Sequence, residues 1–328
     1  MAAAVLSTVA VRLLERRVAL PADVPELGGP PTAKSDHDPP LERAMHRLLA
    51  LEHAGCASRQ SVIDGRRLHY LEAGSGPPLL LLHGASGGGA NWYRLIGPLA
   101  RRWRVLAPDL PGFGFSDPIE PVGLLGRQVA EFIARWLSLL GIDRVDVVGT
   151  SFGGIVALRL PDVFDVRRIV AVDSVGLSRR LPLLLRLGTL PPLVHLAVRP
   201  TRRGTRWLLR HVFTRIRLEP EHEAALTDYL FLSAMRGDER IMARAFLRFA
   251  GLAGQRDVLN TDQLSRLADR LLLVWGERDE FLPLVEAQRA RALAGCQPVR
   301  IIPGAGHSPN WEQPQLLLNV ITGHLTNE

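Results

Sequence analysis

Cysteine is scarce in this chain. Its 328 residues include two cysteines, Cys56 and Cys296, which lie far apart and in no spacing typical of metal ligands. The sequence therefore indicates neither a disulfide framework nor a metal site. Such cysteine usage is typical of a reducing compartment, and we expect a cytoplasmic protein.

Lysine is almost absent as well, because Lys34 is the only one. Arginine supplies nearly all the positive charge, and the net charge is +7. A GC-rich genome, which favours arginine codons, explains this composition, but an anionic partner would explain it equally. Net charge alone does not distinguish the two.

A long apolar run is missing from the N-terminus. Residues 1–14 are apolar but interrupted by Arg12, and they are too short to span a bilayer and lack the features of a signal peptide. We expect this segment either to form a short amphipathic helix that packs on the domain or to be disordered. The alternative is an amphipathic helix that lies on a membrane surface. Residues 21–40 are rich in Pro, Gly and Asp and predict a linker. Residues 1–59 are thus interpreted as a helical extension with a Pro/Gly-rich linker.

From about residue 60, short apolar runs alternate with helical patterns. Asp64-Gly65 joins two alternating segments and indicates a β-hairpin. Continuous apolar runs, typical of strands buried on both faces, follow at residues 79–82, 104–107, 145–148, 169–172, 271–275 and 299–302. Helical patterns cover residues 124–140, 152–160, 284–294 and 313–325. This alternation predicts an α/β fold with a largely parallel sheet and helices on both faces.

One interval breaks the alternation. Almost a hundred residues of mainly helical pattern separate the strand that ends near Val172 from the one that starts near Leu271. A single crossover does not need that length, so we interpret residues 177–265 as an inserted helical cap. The core is then formed by residues 60–176 and 266–328.

The segment 149–153 (GTSFG) carries the pattern G-x-S-x-G directly after a predicted strand and before a predicted helix. In that context a tight strand-to-helix turn holds Ser151 in strained backbone geometry. Glycines flank the serine because a Cβ there would clash with the neighbouring strand and helix. We therefore predict that Ser151 is the nucleophile of a hydrolase.

A serine hydroxyl needs a base, itself oriented by an acid, to act as a nucleophile at neutral pH. His307 lies in a glycine-rich loop after the last predicted strand, at the carboxyl edge of the sheet beside Ser151. Asp279 and Asp173 each follow a predicted strand and belong to the same edge. We favour Asp279 because its Gly-x-x-Asp turn directs it toward a loop, and we keep Asp173 as the rival. The resulting order Ser, Asp, His is the one expected of this kind of fold.

The third requirement is an oxyanion hole, which stabilises the negative charge that develops on the carbonyl oxygen. Gly84 permits a tight turn after the third predicted strand, so that the backbone N–H of Ala85 faces the nucleophile. The N–H of Phe152 is the second predicted donor. His83 is interpreted as a residue that braces this loop.

Several motifs in this order resemble the capped α/β-hydrolase superfamily, in its serine esterase and lipase branch. The resemblance covers residues 61–328 and rests on His83-Gly84 and on residues 108–117 (PDLPGFGFSD), 149–154 (GTSFGG), 276–279 (GERD) and 304–307 (GAGH). It implies an eight-stranded, mostly parallel sheet with a helical cap. It also implies an acyl-enzyme mechanism that uses neither a metal nor an organic cofactor.

The resemblance separates some branches of the superfamily. Epoxide hydrolases and haloalkane dehalogenases carry an aspartate nucleophile where this chain has Ser151. Many carbon–carbon bond hydrolases have a tryptophan after the catalytic histidine, where this chain has Ser308. We therefore expect a carboxylic ester hydrolase. The alternatives are a carbon–carbon bond hydrolase of vinylogous diketones and a non-catalytic member that binds a ligand or a membrane.

The predicted cap begins with a stretch rich in arginine. Residues 177–217 contain no acidic residue and ten arginines, namely Arg179, Arg180, Arg186, Arg199, Arg202, Arg203, Arg206, Arg210, Arg215 and Arg217. This stretch is either a solvated arginine face around an apolar pocket or an interfacial lid that meets anionic lipid. Both interpretations imply an ester with an apolar acyl or alcohol group. A nucleic-acid partner is not expected, because stacking aromatic residues and a recognisable binding module are missing.

Overall fold

A computed structural model describes residues 38–119, 125–190, 200–236 and 246–326. The predicted helix over residues 1–14, most of the predicted linker and Arg199 lie outside the described residues. None of the described helices is long and apolar enough to cross a membrane.

Eight strands of the described chain form one sheet. They are β1 (Ala57–Ile63), β2 (Arg66–Ala73), β3 (Pro78–Leu82), β4 (Arg104–Pro108), β5 (Arg144–Thr150), β6 (Asp165–Val172), β9 (Leu271–Gly276) and β10 (Arg300–Ile302). The spatial order is β1-β2-β4-β3-β5-β6-β9-β10. β2 pairs antiparallel with β1 and β4, and the other neighbours are parallel. The predicted mostly parallel, eight-stranded sheet is confirmed.

The β1–β2 hairpin turns at Asp64-Gly65, as the sequence predicts. Both residues have positive φ, 49° for Asp64 and 73° for Gly65. A two-residue turn of this kind matches the twist of the flanking strands, which explains the preference for Asp-Gly.

Helices cover both faces of the sheet. The core helices are α1 (Pro39–Ala50), α2 (Tyr93–Ala100), α3 (Gly126–Leu139), α4 (Phe152–Arg159), α9 (Leu284–Ala294), α10 (Pro309–Glu312) and α11 (Pro314–Thr326). Alternate residues of β3 point to opposite faces. Leu80 and Leu82 therefore share a cluster with α3, α4 and α9, whereas Leu79 and Leu81 share one with α1, α2 and α11. Burial on both sides explains the unbroken apolar run of this strand.

The interval between β6 and β9 is mainly helical where it is described. It holds α5 (Leu183–Leu187), α6 (Arg202–Leu208), which continues as a wider turn over Leu209–Phe213, α7 (Pro220–Arg236) and α8 (Thr261–Ser265). A short antiparallel ribbon of β7 (Ala250–Gly251) and β8 (Gly254–Gln255) was not expected. A Cβ on Gly254, whose φ is +106°, would lie 1.8 Å from the carbonyl oxygen of Arg179, so the ribbon needs glycine there. The predicted domain limits at residues 177 and 265 stay predictions.

Candidate active site

Ser151 lies in the turn between β5 and α4, with φ +52° and ψ −115°. A residue with a side chain adopts this backbone conformation only when its surroundings enforce it. The N–H of Ser151 donates to the carbonyl of Val172 at 3.0 Å, and its own carbonyl accepts from Gly154 at 3.0 Å and Val175 at 3.2 Å. These three hydrogen bonds hold the strained turn in place and keep the serine side chain half-buried.

The glycines around Ser151 are required by close backbone approach. A Cβ on Gly149 would lie 2.2 Å from the carbonyl oxygen of Gly153. One on Gly153 would lie 2.2 Å from the carbonyl oxygen of Leu82 in β3. The predicted clash with the neighbouring strand and helix is confirmed.

His307 connects the serine to a buried carboxylate. Its Nε2 lies 3.0 Å from Ser151 Oγ, and its Nδ1 lies 2.8 Å from Asp279 Oδ2. With Nδ1–H donating to the carboxylate, Nε2 is left as the acceptor for the serine hydroxyl. This is the order of contacts in a Ser-His-Asp triad. The structure thus brings the three predicted residues together; their catalytic roles stay predictions.

The turn that presents Asp279 follows β9. The N–H of Asp279 donates to the carbonyl of Gly276 at 3.2 Å, which closes the predicted Gly-x-x-Asp turn. Asp279 Oδ1 accepts from the N–H groups of Phe281 at 2.8 Å and Leu282 at 2.9 Å. The second oxygen is therefore left for His307.

Asp173, the rival acid, lies beside Asp279 and is fully buried. Its Oδ1 accepts from the N–H of Gly276 at 2.9 Å. One side-chain atom each of Asp173, Asp279 and His307 falls within 4.8 Å of the others. A metal ion at this place would have to break the hydrogen bond between His307 and Asp279, so we assign no metal ligand here.

The predicted oxyanion donors flank the serine. Phe152 is the first residue of α4, where an N–H has no carbonyl partner within the helix. A Cβ on Gly84 would lie 3.7 Å from Ser151 Oγ, so the loop after β3 runs against the nucleophile. Ala85 is the next residue of that loop and is exposed. The hydrogen bond from the N–H of Ser86 to the carbonyl of Gly84, at 2.7 Å, makes the turn tight.

His83 fixes the start of the same loop. Its ring is fully buried, donates from Nδ1 to the carbonyl of Gly84 at 2.6 Å and accepts at Nε2 from the N–H of Leu110 at 2.8 Å. Burial lowers the pKa of His83, so the ring is neutral, as an acceptor nitrogen requires. The interpretation of His83 as a brace is confirmed.

Comparison with known proteins agrees with this geometry. Residues 79–320 match the model of the alpha/beta hydrolase family. The chain belongs to the α/β-hydrolase family. It is therefore a hydrolase, and the predicted fold and superfamily are confirmed.

The relatives of this α/β-hydrolase differ in their reactions. A 2-hydroxy-6-oxo-6-phenylhexa-2,4-dienoate hydrolase of Burkholderia cepacia is 27% identical over 271 residues, which are 80% of this chain and 92% of that protein. An uncharacterised protein of Mycobacterium tuberculosis is 29% identical over 79% of this chain and 78% of its own length. Among solved structures, a bacterial membrane phospholipase A superposes with a TM-score of 0.72 and 26% identity. That match covers 99% of this chain and 98% of the phospholipase.

The cap of the hydrolase reaches the loop that carries His307. Phe213, at the end of the wider turn, has its ring centre 6.1 Å from that of His307, and the ring centre of Phe281 lies 4.7 Å from it. Glu312 accepts from the N–H groups of Arg215 at 2.6 Å and Gly306 at 2.8 Å. His307 therefore lies against two aromatic rings, and its loop is tied to the cap. Sequence reasoning missed Glu312, since nothing in its local pattern marks it.

The cap of the hydrolase also contacts the loop after β3, which carries the predicted oxyanion donor Ala85. Ser233 in α7 donates from Oγ to the carbonyl of Gly87 at 2.7 Å and accepts from the N–H of Gly114 at 3.3 Å. Ser233 is buried. Because it joins positions more than a hundred residues apart, no sequence signal points to this role.

A second series of hydrogen bonds between a serine, a histidine and an aspartate lies away from the triad. Ser58 Oγ is 2.8 Å from His69 Nε2, and His69 Nδ1 is 2.8 Å from Asp109 Oδ2. Asp109 also accepts from the N–H groups of Gly89 at 2.6 Å and Phe115 at 2.9 Å. Ser58 lies within the strand β1 and not in a strand-to-helix turn. We interpret this series of hydrogen bonds as a structural link between β1, β2 and the segments that contain Gly89 and Phe115.

Proposed function

We propose that this α/β-hydrolase cleaves a carboxylic ester with an apolar acyl or alcohol group. The observation that carries the proposal is the continuous set of hydrogen bonds from Ser151 Oγ through His307 to Asp279, at 3.0 Å and 2.8 Å. The serine stands on a strained turn at the helix start, where backbone donors and the positive end of the helix dipole are available.

The reaction proceeds in two halves. Ser151 Oγ attacks the ester carbonyl carbon while its proton passes to His307 Nε2, and the Asp279 carboxylate stabilises the imidazolium. The N–H groups of Phe152 and Ala85 stabilise the oxyanion. His307 returns the proton to the leaving alcohol, and water then releases the acid from the acyl-enzyme by the same route.

An apolar substrate agrees with the surroundings of the base. The rings of Phe213 and Phe281 lie against His307, which is buried. The likeness to a membrane phospholipase A extends over nearly the whole of both chains, which favours a lipid-like ester over a small polar one.

A carbon–carbon bond hydrolase of vinylogous diketones is the second candidate. The dienoate hydrolase of Burkholderia cepacia supports it, since the alignment covers 92% of that protein. Against it stands Ser308, in the place where many enzymes of that branch have a tryptophan after the histidine. Ester hydrolysis is therefore the first choice.

We further propose that α6 contacts an anionic membrane surface, as an interfacial lid would. None of the residues of Arg202–Leu208 is buried, and Trp207 and Leu208 are 53% and 41% exposed. An adjacent cleft of about 350 Å³ includes Arg210, Arg215 and Arg217 in its lining. Exposed apolar side chains next to arginines are typical of interfacial binding.

A fluorophosphonate probe tests the nucleophile. We expect the wild type to be labelled and Ser151→Ala to lose the label. Since Ser58 also hydrogen-bonds a histidine, the labelled peptide should be mapped, and Ser58→Ala should be labelled like the wild type. A folded wild type that is not labelled, or is labelled at Ser58 instead, would contradict the proposal.

Substrate choice is tested with p-nitrophenyl esters of graded chain length beside one vinylogous diketone. Activity that rises with acyl length and is absent for the diketone supports an ester hydrolase. Faster cleavage of the diketone would favour the second candidate.

Membrane contact is tested by sedimentation with phosphatidylglycerol vesicles and with phosphatidylcholine vesicles. We expect binding to the anionic vesicles, and a several-fold loss of binding for the double variant Trp207→Ser and Leu208→Ser. Leu139→Ser is the matched control, because Leu139 is 60% exposed on α3. Equal binding of all three proteins would contradict the contact through α6.

A further inference from the structure

A second carboxyl group is built into the active site behind the acid of the triad. Asp173 follows β6 as Asp279 follows β9, and these two strands are parallel neighbours in the sheet. The backbone of Asp173 has φ +42°, and its N–H donates to the carbonyl of Val274 at 3.0 Å. The side chain is 0% exposed. A fully buried aspartate in a strained backbone conformation needs a specific reason to be there.

The two side-chain oxygens of Asp173 differ in their hydrogen bonding. Oδ1 accepts from the N–H of Gly276 at 2.9 Å, but Oδ2 is buried and has no hydrogen-bond donor among the described atoms. The acidic side chain beside it is that of Asp279: one oxygen atom of Asp173 and one of Asp279 lie within 4.8 Å of each other, and Asp279 is itself an acceptor when ionised. Two ionised carboxylates buried this close together repel each other, and protonation of one of them removes the repulsion. A protonated carboxyl group supplies that proton as an O–H donor.

We propose that Asp173 is a neutral carboxylic acid that donates a hydrogen bond to the Asp279 carboxylate and thereby positions the acid of the triad. Asp173 is thus a positioning residue, and this role rests on the proposed serine hydrolase mechanism.

The donors around Asp279 support this assignment. An ionised carboxylate offers about four lone-pair sites. Three of them are used by the N–H groups of Phe281 and Leu282 and by His307 Nδ1. The O–H of Asp173 is the fourth donor. With all sites used, the carboxylate cannot rotate away from His307.

Electrostatics favour the same protonation. Burial, together with the charge and the hydrogen bond of Asp279, raises the pKa of Asp173 well above its usual value. The N–H of Gly276 opposes this shift, and the charge of Glu312 adds to it. The titratable groups around Asp173 are therefore Asp279, Glu312 and the adjoining His307. Two carboxyl groups in such a site share one negative charge, as in other buried acid pairs.

A neutral Asp173 also suits the reaction. His307 must take the serine proton and later return it to the leaving group. A second carboxylate beside Asp279 would stabilise the imidazolium further and slow that return. The hydrogen bond of a neutral acid orients Asp279 without adding this charge.

Substitutions that separate hydrogen bonding from charge test the proposal. Asp173→Asn keeps a donor for Asp279 and an acceptor for Gly276, so kcat/KM should stay within about 3-fold of wild type. Asp173→Leu has a similar size but no donor and should lose about 10- to 100-fold. Asp279→Asn, the control for loss of the acid itself, should lose about 10⁴-fold. Circular dichroism and thermal melting check that each variant is folded.

The pH profile adds a readout that packing alone does not move. Because wild-type Asp173 carries no charge, Asp173→Asn should leave the acidic limb of kcat/KM where it is. A limb shifted to lower pH in Asp173→Asn would mean that a negative charge had been removed, and would overturn the proposal. A loss in Asp173→Asn as large as in Asp279→Asn, or full activity of a folded Asp173→Leu, would overturn it as well.

The rate of fluorophosphonate labelling serves as a parallel measurement of all four proteins. It depends on the serine, its base and its acid, but not on the natural substrate. If the wild type is labelled yet cleaves no ester tested, the labelling rates and their pH dependence still decide the role of Asp173. Absence of labelling would instead count against the proposed function.

Discussion

Glu312 accepts a hydrogen bond from the backbone N–H of Arg215 at 2.6 Å, and this contact joins the cap to the loop that carries His307. The same carboxylate also accepts from the N–H groups of Ile216 and Gly306, both at 2.8 Å. Three backbone donors thus converge on one buried side chain. The cap and the loop of His307 are therefore both anchored to Glu312.

Replacing this anchor should affect stability and activity together. In Glu312→Gln an amide NH₂ replaces one oxygen and meets a backbone N–H, so a buried donor is left without a partner. We expect the free energy of unfolding to fall by about 1–3 kcal/mol. We also expect kcat/KM to fall, because the His307 loop loses its support. Denaturant unfolding and ester hydrolysis measure the two effects.

The matched control for this substitution is Glu280→Gln. Glu280 pairs with the side chain of the same Arg215 at 2.7 Å, but its own side chain is 77% exposed. An exposed ion pair contributes little, so stability should change by less than about 0.5 kcal/mol. If both variants behave alike, Glu312 is not the anchor inferred from its contacts.

Ser233 should control the oxyanion loop from the cap. Ser233→Ala removes both the donor to the carbonyl of Gly87 and the acceptor for the N–H of Gly114. The loop that carries Ala85 then loses a fixed point, and we expect kcat to fall by about 10-fold with little change in KM. Steady-state kinetics on the best ester measure this split. A higher KM at unchanged kcat would instead indicate a role in substrate binding.

The control for Ser233→Ala is Ser265→Ala. Ser265 is exposed, and its Oγ donates to the carbonyl of Thr261 one turn earlier in α8. This substitution removes a serine hydroxyl away from the active site, so both kinetic constants should stay at the wild-type values.

Sequence patterns sufficed to predict that the three residues of the proposed triad lie together, because these residues obey a topological rule. Ser151, Asp279 and His307 each follow a parallel strand, and the carboxyl ends of such strands meet at one edge of the sheet. Local patterns suffice to place a residue directly after a buried strand. The same rule placed Asp173 at this edge as a rival acid, but it does not specify which carboxylate faces the histidine.

Contacts between segments that are distant in the chain could not be predicted from the sequence. Glu312 binds the N–H groups of Arg215 and Ile216, and Ser233 binds backbone groups of Gly87 and Gly114; these partners lie 96 to 146 residues away. Neither Glu312 nor Ser233 stands in a motif. The helix α2 was missed for a local reason, since Gly97 and Pro98 lie inside it and normally end a helix. Leu95 and Leu99 are nonetheless fully buried, so tertiary packing overrides the local signal.

The protonation of Asp173 predicts an unusual dependence of stability on pH. Its pKa is raised in the folded state, so between the unfolded value of about 3.9 and the folded value the native state binds more protons. The contribution of Asp173 to the free energy of unfolding is complete below that pH window and is lost as the pH rises through it. Asp173→Asn does not titrate, and its free energy of unfolding relative to wild type should increase by up to about 1.4 kcal/mol per pH unit there. Urea unfolding at a series of pH values measures the difference, and a constant difference would contradict a neutral Asp173.

Asp109 should make the free energy of unfolding depend on pH with the opposite sign. Burial opposes ionisation, but the charge and hydrogen bond of His69 and the N–H of Phe115 outweigh it and lower the pKa of Asp109. The unfolded state then binds more protons, so this stability is present above about pH 3.9 and lost as the pH falls through the folded value. Asp109→Asn should be less stable than wild type at pH 7, and the difference should shrink in acid. The same urea series checks this, and a difference that widens in acid would contradict it.

Two glycines provide opposite tests of the packing around the nucleophile. A Cβ on Gly153 would lie 2.2 Å from the carbonyl oxygen of Leu82, and neither backbone can move without displacing β3 or Ser151. We expect Gly153→Ala to be inactive and strongly destabilised, since overpacking a core costs about 1–3 kcal/mol and this contact is with backbone. A Cβ on Gly323, in the exposed part of α11, meets nothing within 4 Å. Gly323→Ala should therefore stabilise the chain by about 0.5–1 kcal/mol at unchanged activity. Thermal melting of the two variants measures both effects, and a stable, active Gly153→Ala would mean that the strand-to-helix turn is not as closely packed as these distances require.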